Sequence, residues 1–325
     1  MSISLMFGPD DPARVRFATS PLWETMAALR VLLEPQRRAY HLPWLDSVRP
    51  DAEKMRLWPL LALSPQWGWT PDFLSPAPSR PGTRISDQLA RVRATPPEQV
   101  SAEISRCLTE RSTPAPARAW RLLDDPAATT TLLADLLEEC WQLLIAPHWP
   151  RLNHLLQADV TYRTEILAGY GLERVLGDLH TRARWTGRAL VIKSAGTQRV
   201  QLAGGGLLLM PSAFLWPDVA TVIDPPARPA VVYPARGIAE LWQPTTTRHS
   251  AALGRLLGPT RAALLQSLAE PASTTTLAAR HGIAQSTVSE HLTVLRYARL
   301  VSRRRRRHEV MYQQSPLGRE LAGGG

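Results

Sequence analysis

The sequence predicts an α+β protein in two parts: a helical and antiparallel-sheet N-terminal domain over 1–245, then a small C-terminal domain over 251–325 whose helices are followed by two short strands. Three observations carry this. Apolar residues recur at helical spacing through most of the first two thirds, then switch to short alternating runs between 190 and 233. All 11 Trp and 26 of the 29 Pro precede residue 250. The charge breaks at the same place, because residues 251–325 carry 11 Arg and 4 Glu, which is +7 of the chain's +10. The polar segment Pro244–Ser250 between the two parts reads as a linker.

Composition narrows the class. A length of 325 residues fits about two domains. A hydrophobic share of 44% with 20% charged residues is that of a chain able to bury a core, not of a disordered one. Cys107 and Cys140 both lie in apolar, helix-like stretches, which argues against a disulfide framework and against a cysteine-rich zinc site. The opening MSISLMFGPDD has neither the basic flank nor the apolar run of a signal peptide, and no stretch approaches the ~20 apolar residues that span a bilayer, so a cytoplasmic protein is expected. Lys54 and Lys193 are the only lysines, and the arginine bias, with abundant Ala, Pro and Leu, fits a high-GC genome.

In chain order, Ile3–Phe7 alternates as a strand. Pro21–Leu33 has helical spacing through Leu22, Thr25, Met26, Leu29, Leu32 and Leu33. Residues 55–84 are irregular and dense in Pro and Trp (Trp58, Trp67, Trp69). Helical periodicity returns over 98–110 and 126–183, with a break expected near Pro147 and Pro150. Leu190–Lys193, Val200–Ala203, Leu207–Met210, Val219–Ile223 and Ala230–Tyr233 then read as strands of an antiparallel meander, with Gly204, Gly205 and Gly206 as a tight connection. His148 and His154 read as structural, and the tryptophans mainly as core.

The C-terminal domain is more specific. Leu253, Leu256, Leu257, Ala262, Leu264, Leu265 and Leu268 form an apolar helical face, with a scaffold helix from Pro259 to about Ala269. A first helix begins near Thr274, Gly282 makes a left-handed turn, and a second helix runs from Ser286 to about Ala298. Ala278 must be small where these helices cross, and Val288 anchors the second, which is the spacing of a helix-turn-helix. Val288, Leu292 and Leu295 face the core, so at 100° per residue Ser286, Ser289, Glu290, Thr293 and Tyr297 lie opposite, with Thr287 at the flank. Short hydroxyls near a helix start can meet phosphates or base edges in a major groove, and Glu290 can accept from a cytosine amino group. Leu300–Arg304 and Val310–Gln314 then bracket a basic tip, the form of a wing. The DNA-contacting candidates are therefore Gln285, Ser286, Thr287, Ser289, Glu290 and Thr293 on the helix, and Arg303, Arg304, Arg305, Arg306, Arg307 and His308 on the wing.

The stretch from LGRLLGPTRAALLQSL through QSTVSEHLTVLRYARLV to Tyr312 resembles the winged helix-turn-helix domain of the ArsR family of bacterial repressors. That resemblance implies a homodimer on an inverted repeat in double-stranded DNA, with repression released by an effector. SPLWETMAALRVL, LARVRATPPEQV and VVYPARGIAELW resemble an uncharacterised domain that precedes such winged helices in high-GC bacteria, which implies no activity. Thr274, Thr275 and Thr276 stand where metal-sensing relatives carry a cysteine pair, and Pro316–Ala322 supplies only Glu320, so neither a metal nor another cofactor is expected. The N-terminal domain is expected to sense a small-molecule effector or to dimerise, and not to be an enzyme, for want of a phosphate-cradling loop, a GxSxG elbow or a zinc signature. The alternatives are an effector-dependent activator and an enzymatic domain fused to a DNA-binding module.

Overall fold

The computed structural model describes residues 1–65, 69–111, 114–194, 196–224, 228–242, 252–306 and 309–322, with the backbone alone at Arg37, Arg38, Arg305, Arg306 and Glu309. The expected linker 244–250, together with Trp67, Arg307 and His308, lies outside the described residues. The chain divides into two compact units, Met1–Trp242 and Gln243–Gly325.

The N-terminal unit combines a helical core with two sheets. Strand β1 (Ser2–Met6) and the short β2 (Arg16–Phe17) precede helix α1 (Pro21–Leu33). Helix α1 starts where it does because the Ser20 hydroxyl accepts from Trp23 N at 3.0 Å and Pro21 occupies the first turn, where its missing N–H costs nothing. Buried Gln88 braces this start by accepting from Leu22 N at 3.1 Å and donating to Ser20 Oγ at 2.8 Å. Helices α2 (Leu42–Ala52), α3 (Trp58–Ala62), α4 (Ile85–Arg93), α5 (Pro97–Thr109) and α6 (Ala117–Trp120) follow, so the described residues of 55–84 are irregular apart from α3 and one turn at Asp72–Leu74. Helix α7 (Pro126–Cys140) gives way to a π-helical segment, Trp141–Ile145, and a 3₁₀ turn, Ala146–His148, before α8 (Trp149–Gly177). The break therefore begins six residues before Pro147, and a second lies at Gly171, whose φ of 81° interrupts α8.

The remaining strands are β3 (Ala183–Trp185), β4 (Ala189–Lys193), β5 (Gln198–Gln201), β6 (Leu208–Ser212), β7 (Ala220–Val222) and β8 (Ala230–Pro234). The α+β class holds, but the strands do not form a meander. They fall into two mixed four-stranded sheets, ordered β3-β4-β1-β5 and β2-β6-β8-β7. Strand β1 runs antiparallel to β4 and parallel to β5, while β2 and β8 each run parallel to β6 between them. The physical reason is that β1 and β2, from the start of the chain, pair with strands nearly 200 residues away, which no local periodicity reports. The glycine run thus carries the chain from one sheet to the other. Gly206, at φ 70°, also lies so close to Arg14 that a methyl group there would overlap the Arg14 carbonyl. Buried Asp11 fastens the same corner, its two carboxylate oxygens accepting from Gly8 N at 2.7 Å and Gly206 N at 2.8 Å.

A charged pair lies inside on α8. Asp159 on α8 accepts from Arg163 Nε at 3.1 Å, Tyr233 Oη at 2.9 Å and Arg236 N at 3.1 Å, and both side chains of the Arg163–Asp159 pair are almost fully buried. Every carboxylate oxygen is therefore hydrogen-bonded, as a buried charge requires. Cys107 and Cys140 are buried thiols, pushed up by burial to about 11 and about 12, which withholds the reactive thiolate. His148 stacks edge-on against Trp242 at 5.5 Å, and burial followed by the charge of Arg151 lowers its pKa.

The C-terminal unit opens with a helical stretch over 252–257 and continues with α9 (Pro259–Ser267), β9 (Ala272–Ser273), α10 (Thr274–His281), α11 (Gln285–Tyr297), β10 (Val301–Arg306), β11 (Glu309–Gln314) and α12 (Pro316–Ala322). Leu264, Leu265, Leu277, Val288, Leu292 and Leu295 form its core, and the strands form one sheet in the order β10-β11-β9. Leu256 departs from the expected apolar face, with 69% of its surface exposed. Gly258, at φ 87°, ends the first helical stretch before Pro259 starts α9, so residues on either side of it do not share one helical phase.

Candidate nucleic-acid interface

The helix-turn-helix is built by local rules. Ser273 caps α10 by accepting from Thr276 N at 3.3 Å. Gly282 closes it at φ 64°, ψ 32°, and Ile283 N donates back to Ala278 O at 3.2 Å, a left-handed C-cap that turns the chain into α11. Gln285 Nε2 donates to Thr275 Oγ1 at 3.3 Å, and His281 Nε2 meets Ser267 Oγ at 2.8 Å, tying the turn to its neighbours. Val288, Leu292 and Leu295 are buried, which fixes the rotation of α11 about its axis.

That rotation leaves Ser286, Ser289, Glu290 and Thr293 exposed on the opposite face and Thr287 half-buried at its flank, with Gln285 exposed at the helix start. Thr293 Oγ1 donates to Ser289 O at 2.8 Å, so its proton is held within the helix and the group presents a methyl and an acceptor. Ala284 at the N-cap has no oxygen to offer, so no side chain caps α11 and its first backbone N–H groups point toward whatever meets the helix end. Helix-end donors of this kind carry no signal in side-chain pattern beyond the absent Ser, Thr, Asp or Asn at the cap. Val294 and Tyr297 are also exposed on α11, Tyr297 by 80%.

Arg299 takes φ 59°, making the tight turn by which the chain leaves α11 for the wing. Strands β10 and β11 pair antiparallel from Val301↔Gln314 to Arg306↔Glu309, and β11 is anchored at its far end to β9 through Tyr312↔Ala272. Gln314 Nε2 donates to Leu265 O at 2.8 Å, fastening the wing's base to α9. Arg303 and Arg304 are both exposed, and as successive strand residues they lead to opposite faces of the hairpin. The register sets Arg305 opposite Val310 and Arg306 opposite Glu309. At the base, Gly318 of α12 crosses so close to Leu300 that a methyl group there would overlap the Leu300 carbonyl.

Together these elements define a helix-turn-helix domain with a basic wing. Residues 256–304 match a helix-turn-helix domain family, and residues 98–239 match a family of unknown function (DUF5937). Neither a curated protein nor a solved structure matches the chain. The helix-turn-helix match supports a DNA-binding transcription regulator. Among the described residues, no helix is long and apolar enough to cross a membrane, and no cluster of three His, Cys, Asp or Glu side chains could hold a metal ion.

Proposed function

We propose that the chain is an ArsR-type repressor that binds a palindromic operator as a homodimer, in the cytoplasm, and releases it in response to a small molecule held by the N-terminal unit. The observation that carries this reading is the exposed polar face of α11, held in fixed rotation by three buried anchors and followed at once by an arginine-rich wing. Helix α11 enters the major groove by its uncapped start. Gln285 and Ser286 meet backbone phosphates, Ser289 and Glu290 meet base edges, and the wing arginines follow the adjacent phosphates.

Exposed Leu256 and Leu317, at the two ends of the C-terminal unit, favour the homodimer, because paired copies would cover apolar side chains that a lone unit leaves to water. Two copies then place two α11 helices about 34 Å apart, in successive major grooves. The N-terminal unit acts without catalysis and without a bound cofactor. The test is binding of the full chain to its own upstream DNA, measured with and without a large excess of scrambled duplex. Selective binding with the stoichiometry of two chains per site supports the reading, and equal binding to the scrambled duplex overturns it.

A further inference from the structure

The N-terminal unit contains a cleft of about 570 Å³ walled by Trp23, Met26, Trp69, Leu215, Val219 and Ile223. This is the size and lining of a site for a drug-sized molecule. Its polar groups are few and specific. Arg106 lies 4.3 Å above the Trp69 ring and is already engaged by two carboxylates, Glu110 at 3.0 Å and Asp224 at 2.6 Å. Arg30 donates to Thr70 Oγ1 at 2.7 Å. Two buried polar atoms of lining residues, Trp23 Nε1 and Asp72 Oδ2, have no hydrogen-bond partner among the described residues. A buried indole N–H and a buried carboxylate oxygen each cost free energy unless something bonds them, and these two belong to side chains that line the cleft.

The charges say which kind. Of the three carboxylates in the lining, Glu110 and Asp224 are paired with Arg106, which leaves Asp72 as the one with an oxygen that no described residue bonds. Glu103, which accepts from Phe73 N at 3.0 Å, stands behind Asp72. A carboxylate guest would add to this repulsion, and a neutral one would leave it unrelieved.

We infer that this cleft binds a small amphiphilic amine, its ring-bearing apolar body between Trp23 and Trp69, its protonated nitrogen donating to Asp72 Oδ2, and an acceptor atom taking the Trp23 N–H. Burial, followed by the charges of Glu103 and Asp224, holds the Asp72 carboxyl at about 7, above its ordinary 3.8, and a neighbouring ammonium group restores its ionised form. The inference names the ligand class for the effector reading above and rests on it for its biological sense, but the site is tested by binding alone.

The test is calorimetric titration of the full chain with three probes of one shape: naphthylmethylamine, naphthylmethanol and naphthoate. The amine binds at least about tenfold tighter than the other two, and Asp72→Asn, which keeps the side chain's shape, removes that advantage while leaving the alcohol's affinity within about twofold. Hydrogen exchange with the amine present gains protection over residues 21–33 and 69–75. The inference is overturned if naphthoate or the alcohol binds as tightly as the amine, if none of the three saturates, if Asp72→Asn leaves the preference intact, or if protection appears elsewhere. An amine that binds as described without changing DNA affinity upholds the site and refutes the effector reading only.

Discussion

Two glycines of the C-terminal unit make the same substitution a probe of two different physical costs. Gly282→Ala puts a methyl into open space but requires an L-residue at φ 64°, a purely conformational penalty of about 1 kcal/mol. Gly318→Ala requires no unusual dihedral, yet the new methyl overlaps the Leu300 carbonyl, and Leu300 is held by its own N–H bond to Leu295 O and by Ser315 N on its oxygen. Backbone must move, which costs about 3 kcal/mol or more. The tryptophans all lie in the N-terminal unit, so fluorescence does not report this region. Hydrogen exchange of peptides covering 285–297 in the full chain does. Exchange there should accelerate about fivefold for Gly282→Ala and at least about a hundredfold for Gly318→Ala. Equal effects, or the reverse order, would refute the assignment of α12 as a close-packed strut beneath the wing.

Burial holds the Glu24 carboxyl at about 7 against its ordinary 4.5, so the folded chain keeps a proton that the unfolded chain releases between those values. Glu24 therefore lowers the stability of the N-terminal unit as pH rises from about 4.5 to about 7, by an order of 3 kcal/mol, and Glu24→Gln should remove that share, leaving the fall due to Asp72, in urea titrations followed by tryptophan fluorescence. Asp159→Asn leaves the buried Arg163 cation without its carboxylate and should cost about 3 to 5 kcal/mol in the same assay, against about 2 for Tyr233→Phe, which removes only a donor. Ser289→Ala and Glu290→Ala should alter which base pairs are preferred in selection from randomised operators, whereas weaker affinity alone, with preferences unchanged, would remove them from base readout.

Much of the C-terminal unit is legible in the sequence because its constraints are local. A cap, a left-handed glycine and buried residues at i, i+4 and i+7 fix α10, the turn and α11, and with them the face that carries Ser286, Ser289 and Glu290. Helix α1 is legible for the same reason, through Ser20, Pro21 and its spacing. The sheets are not, since β1 and β2 find partners across most of the chain, and a meander is expected only as long as neighbouring strands are assumed to pair. Asp159 and Arg163 look like an ordinary solvated i, i+4 pair, and only the arrival of Tyr233 and Arg236 from distant sequence shows them to be interior. The need for glycine at 206 depends on Arg14, and so on tertiary approach. For the wing, the arginine run is plain in the sequence, but the pairing that sets Arg303 across from Tyr312 and Arg304 across from Met311 is known only from the strand register.

The central claim is that α11 and the wing engage DNA, and equilibrium binding of the full chain to its upstream DNA across a salt series tests it most directly, with Arg303 to Arg307 replaced by Ala alongside. The slope of log affinity against log salt should shallow by about 0.9 for each phosphate that is no longer neutralised. The account predicts tight, sequence-selective binding by the parent chain and uniformly weaker, less salt-sensitive binding by the variant. An unchanged slope and affinity in the variant would contradict it.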